Sequence, residues 1–205
     1  MNNAIGKLKQ TVNKYVLFEQ SEVSKELKVE VLEIIFNRIF SVNENTLLIS
    51  GGDEPIYLPV SEIETVNKII STQDFFSSAL HEVSHWCVAG VERRKLVDYG
   101  YWYEPDGRTL EQQRLFEQAE IKPQALEWLF TVATGGRFRL SVDNISQPEM
   151  RASDEFGRKV YDQVLNYLEY GLPDRAQQFL DALLSYFQPA KLSLNINDFT
   201  LELLK

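Results

Sequence analysis

Cysteine and histidine are scarce in this 205-residue chain, which carries one cysteine and two histidines. A single cysteine excludes an intrachain disulfide framework and fits a reducing compartment. Basic residues are outnumbered, with 21 Lys and Arg against 30 Asp and Glu and a formal net charge of −9. That balance argues against nucleic-acid binding through a broad basic surface. It leaves open a partner that presents a cationic group. No apolar run approaches the ~20 residues needed to cross a bilayer. The opening MNNAIGKLKQ lacks the apolar stretch of a secretory signal. Repeats and low-complexity linkers are absent. The expectation is a cytoplasmic protein with no membrane and no direct nucleic-acid contact.

What is present suffices for an ordinary core, with 44% hydrophobic and 12% aromatic residues. The chain is expected to form one catalytic domain over 1–205. Residues 1–20 would be loosely attached, and 190–205 has no clear assignment. Apolar residues at helical spacing predict a helix from Ser21 to Phe40, with Ser21 as N-cap. Thr46–Ser50 reads as a strand closed by Gly51-Gly52, and Gly52–Pro59 as extended chain. A helix is expected from an Asp74 cap to about Ala89. Thr109 and Gln112 have capping-box spacing and open a long helix to about Ala133, with Pro123 as a kink or break. Arg137–Val142 alternates like a strand, and Glu155–Tyr170 and Arg175–Phe187 read as amphipathic helices. The fold class is therefore α+β, mostly α, with a central helix bearing His-Glu-x-x-His and a few short strands.

Both histidines fall in that motif, as His81 and His85 in LHEVSHWCVAG. At about 100° per residue, Phe76, Ala79, Leu80, Val83, Trp86 and Cys87 share one side of the helix and face the core. His81 and His85 project from the other side, one turn apart, where two imidazoles reach a single ion. Cys87 points to the core and reads as a buried hydrophobe. Divalent iron and catalytic zinc commonly add a carboxylate and keep positions open. The long helix can supply it. Its expected buried stripe is Leu115, Phe116, Ala119, Pro123, Leu126, Phe130 and Ala133. Glu120 lies beside that stripe and ranks first as third ligand. Glu127 also borders it, and Glu117 is turned further towards solvent; both remain alternatives.

Four segments carry a family resemblance: GDEPIYLP (Gly52–Pro59), HEVSHWCVAG (His81–Gly90), DYGYWYEPDGR (Asp98–Arg108) and EIKPQALEWLF (Glu120–Phe130). Over about Phe36 to Leu184 the chain resembles the elongation factor P hydroxylase family. The resemblance implies hydroxylation of the β-lysylated lysine of bacterial elongation factor P, the last step of that factor's maturation. It also implies a metal held by His81, His85 and a glutamate of the FEQAEIKPQALEW stretch, where Glu117 and Glu120 both match.

Hydroxylating an unactivated methylene needs a strong oxidant. This points to non-haem Fe(II), with molecular oxygen as cosubstrate and the electron donor unassigned. Glu82 would then orient a ligand or water instead of acting as a base. The long cationic substrate arm suits the loop holding Tyr99, Tyr101, Trp102, Tyr103, Glu104 and Asp106, and Tyr99, Tyr101, Tyr103, Asp106 and Arg108 are the residues expected to bind substrate. A 2-oxoglutarate cosubstrate would need a cation, for which Arg93, Arg94, Arg108 and Lys122 are available. The competing reading is a zinc metallopeptidase in which Glu82 is the general base.

Overall fold

A computed structural model describes residues 26–98, 108–141 and 153–204. Expectations for residues 1–25, including the Ser21 cap, lie outside the described residues, as do those for Tyr99–Gly107 and Val142. The elements are α1 (Val29–Asn43), β1 (Thr46–Gly52), β2 (Ile56–Leu58), β3 (Asn67–Thr72), α2 (Phe76–Val88), α3 (Leu110–Ala133), α4 (Asp154–Tyr170) and α5 (Asp174–Phe187). Short 3-10 turns lie at Arg93–Lys95, Ile196–Asp198 and Leu201–Leu204.

The strands form one sheet in the order β1-β3-β2. β1 runs parallel to β3, with Leu48 opposite Ile69, and β2 runs antiparallel to it, with Tyr57 opposite Ile69. β3 was not foreseen. Its polar flanks hide the signal, and only Ile69 of the Ile69-Ile70 pair is fully buried. Gly52 is required where β1 ends against β3, because a Cβ there would stand 2.6 Å from Ile70 Cγ2.

α1 begins at Val29, residues 26–28 before it are not helical, and Leu27 stays 43% exposed. Asn37 on α1 holds β1 by accepting from the Leu48 N–H and donating to the Leu48 carbonyl. α2 starts after Phe75, and Asp74 makes no cap. The chain enters this helix straight from β3 through Gln73, whose φ is +45°. The Ser78 hydroxyl accepts from the Thr72 N–H across that corner.

α3 opens with the expected capping box. Thr109 Oγ1 accepts from the Gln112 N–H and Gln112 Oε1 accepts from the Thr109 N–H. The helix runs unbroken through Pro123. Its buried face differs from the expected stripe, since Leu115 and Ala119 are exposed. Gln113, Phe116 and Glu120 are buried in the first half, and every residue from Pro123 to Phe130 is buried in the second. Three other helices, α2, α4 and α5, pack around a helix that turns polar side chains inward.

Residues 137–141 form no strand. The alternation was real, because Phe138 is buried and stacks on Trp128 with centroids 5.4 Å apart. Among the described residues, however, no strand pairs with it. The Gln124 side chain takes both backbone groups of Ser141 instead. The tail after Pro189 packs onto the core through Leu194 and Phe199, the latter edge-on to Trp128. α4 ends at Gly171, whose φ of +95° suits a residue without Cβ. Among the described residues, no helix is long and apolar enough to cross a membrane.

Candidate metal centre

α2 lies against α3 and β3 and buries Ala79, Leu80, Val83, Trp86 and Cys87, the face its periodicity predicts. Burial pushes the Cys87 thiol up to about 12, so it stays protonated and inert. The opposite side of α2 turns His81 and His85 towards α3, with side chains 18% and 16% exposed. Their Nε2 atoms lie 3.1 Å apart. Glu120, 2% exposed, reaches the same point from α3. Its Oε1 is 3.1 Å from His85 Nε2 and its Oε2 is 3.6 Å from His81 Nε2.

These spacings suit one ion. Donor atoms about 2.1 Å from a metal and about 90–110° apart lie about 3.0–3.5 Å from each other. The protonation pattern suits it too. His81 Nδ1 is 2.8 Å from Glu127 Oε2. A carboxylate only accepts, so Nδ1 carries the hydrogen and neutral His81 presents its Nε2 lone pair to the triad. This carboxylate–imidazole pairing is the usual support of a metal-bound histidine.

Without an ion, the same carboxylates attract a proton to His81. Burial pulls the His81 pKa down. The Glu127 hydrogen bond and charge, then Glu120 and Glu82, outweigh burial and place it well above 6.5. For Glu120, burial pushes the carboxyl up, but His85, then His81 and Gln124, hold it at about 2. Among the described residues, His81, His85 and Glu120 form a cluster whose donor atoms could hold a metal ion.

The other expected residues fall elsewhere. Glu127 meets His81 on the nitrogen remote from the triad. Glu117 accepts from the Ser153 hydroxyl at 2.9 Å, and Ser153 caps α4. Glu82 is buried, at 8% exposure, and lines a small groove that reaches His85. Tyr57, Trp86, Arg94 and Asp98 also border this groove. Arg108 is 1% exposed, stacks over the Phe116 ring at 4.0 Å and donates to Gln113. Tyr99, Tyr101, Trp102, Tyr103, Glu104 and Asp106 lie outside the described residues. Sequence reasoning overlooked Gln124, although it stands one turn after Glu120 on the same face.

Residues 35–199 match the elongation factor P hydroxylase family, so the chain belongs to that family. A relative named elongation factor P lysine hydroxylase, from Haemophilus influenzae, is 50% identical over 162 residues, 79% of this chain and 90% of that protein. Neither match supports the metallopeptidase reading.

Proposed function

We propose that this protein is a metal-dependent hydroxylase of elongation factor P, acting on the lysine that carries a β-lysyl group. Family membership and the close relative support the reaction. The observation that supports metal dependence is the convergence of His81 Nε2, His85 Nε2 and Glu120 on one point between α2 and α3. Two histidines and one carboxylate suit Fe(II) and leave coordination positions open for oxygen and substrate. Bound there, the metal would supply the oxygen-activating chemistry that an unactivated carbon requires.

The chain's own residues do the rest. Glu127 keeps the hydrogen on His81 Nδ1, which holds Nε2 in the ligating form. The apolar side of α2 anchors both histidines to the core, so their positions are set before any ligand arrives. A small groove beside His85 is lined by Glu82, Trp86, Arg94 and Asp98. The aromatic and acidic residues Tyr99, Tyr101, Tyr103 and Asp106 would recognise the cationic arm, through ring faces and charge, with Arg108 fixing the loop's end. Glu82 lies in the groove wall and orients groups beside His85 without serving as an essential base. A modifier of a translation factor works in the cytoplasm.

The test is mass spectrometry on β-lysylated elongation factor P incubated with purified, Fe(II)-loaded protein in air. The expected product has gained one oxygen atom, and anaerobic samples show no gain. Equal turnover of the unmodified factor would contradict the stated substrate, and peptide cleavage without oxygen gain would contradict the reaction.

A further inference from the structure

Gln124 is fully buried on α3, one turn beyond Glu120. Its amide makes three hydrogen bonds. The Ser141 N–H donates to Oε1 at 3.1 Å, and Nε2 donates to the Ser141 carbonyl at 2.7 Å. Nε2 also donates to Glu120 Oε2 at 3.3 Å. The Ser141 N–H only donates and its carbonyl only accepts, so the backbone admits a single orientation of the amide. In that orientation an N–H, never the amide oxygen, faces the Glu120 carboxylate.

From this geometry we infer that Gln124 is a positioning residue. It clamps Glu120 Oε2 so that Oε1 stays on the histidine side, and the Ser141 backbone holds the clamp in register. The inference rests on the metal reading above and extends it to a residue that touches neither ion nor substrate. The physical reason is entropic and electrostatic. A glutamate has three side-chain torsions, and one held at its far oxygen has lost most of that freedom before an ion binds. Burying its charge also requires donors, and Gln124 supplies one where water cannot.

The test uses Co(II) as probe on the full chain, with affinity read by competition against a chelator and geometry by the visible absorption of the bound ion. Gln124→Met keeps length but removes every donor and acceptor. Its expected Co(II) affinity falls about 10–100-fold, as for other groups that orient metal ligands, with an altered Co(II) spectrum. In a Glu120→Gln background the same substitution should cause no further loss, because its effect passes through Glu120. Should Gln124→Met fail to fold, Ser141→Pro serves instead. It leaves Gln124 in place but deletes the N–H that reads Oε1, and its affinity should fall in the same direction.

Undiminished affinity and an unchanged spectrum in these variants would overturn the inference. So would an equal loss in the Glu120→Gln background, which marks a merely structural residue. Wild-type protein that fails to bind Co(II) would sink the metal reading and this inference together.

Discussion

His81 and Glu127 meet across the α2–α3 interface, Nδ1 to Oε2 at 2.8 Å, although 46 positions separate them in the chain. That contact decides which nitrogen of His81 bears the hydrogen, and so which one faces His85 and Glu120. It also gives Glu127 a different task from the ligand role considered for it. One helix, α3, thereby supplies a carboxylate to the triad at 120 and the support of a triad histidine at 127.

Glu127→Gln keeps the size of the side chain but removes its charge. Its amide can present an N–H to His81 as readily as an oxygen, so the ligating tautomer is no longer enforced. Metal affinity is expected to fall about 10–100-fold, with the fold intact by circular dichroism. Isothermal titration with Zn(II) measures this.

His81→Ala and His85→Ala should each abolish stoichiometric metal binding. The apolar side of α2 is untouched by either change, so the protein should remain folded. Normal metal content in the double variant would rule out the site. His81→Ala leaves the buried Glu127 without its imidazole, an unpaired group costing about 1–3 kcal/mol. Metal-free Tm should drop by several degrees.

Stability of the metal-free protein should depend on pH in a defined window. Glu120 is held at about 2, below its ordinary 4.5, so its contribution is present above 4.5 and lost as pH falls through about 2. His81 is raised well above 6.5, so its contribution is present below 6.5 and lost as pH rises through the raised value. The cluster therefore stabilises chelator-treated protein most between about pH 4.5 and 6.5. An ion replaces the His81 proton, so added Zn(II) should raise Tm more near pH 8 than near pH 5.5. Thermal melts in chelator and in metal, across pH, measure both effects.

Glu82→Gln separates the two chemistries that share this motif. A peptidase would lose nearly all turnover with its base. The hydroxylase is expected to retain substantial oxygen transfer, whereas Glu120→Gln loses it. If only Glu82→Gln is inactive, the oxygenase mechanism fails.

Arg175 on α5 closes the C-terminal end of α2. One of its nitrogens, Nη2, donates to the carbonyls of Trp86, Cys87 and Ala89, and the guanidinium lies 4.5 Å from the Trp86 ring centroid. Arg175→Met should lower stability by about 2 kcal/mol, from the loss of charged hydrogen bonds to buried carbonyls. For a chain of this size, a Tm drop of about 4–8 °C follows. The Co(II) spectrum should change little, since the histidines are held from the core side of α2.

Most helices were legible because local chemistry states them. The Thr109–Gln112 capping box, the apolar side of α2 and the amphipathic spacing of Glu155–Tyr170 depend on neighbours within a few turns. The pair of histidines was legible for the same reason, since i and i+4 share a helix face wherever the helix sits. β3 was missed and the segment 137–141 misread because strand identity depends on a partner elsewhere in the chain. β3 found β1 and β2 on its two sides, whereas residues 137–141 found the side chain of Gln124.

The sequence by itself determined that two imidazoles would share one helix face, that a long helix would begin at Thr109, and that Cys87 would be buried. Each follows from spacing and short-range capping. Only the tertiary structure decided which carboxylate meets the histidines, which one supports them, and which lies apart. The expected stripe of α3 failed at Leu115 and Ala119 because an inward face is chosen by what packs against it. Here α2 brought two histidines, and the exchange of charge and hydrogen bonds with them made it favourable to bury Glu120, Gln124 and Glu127 where periodicity alone expects hydrocarbon.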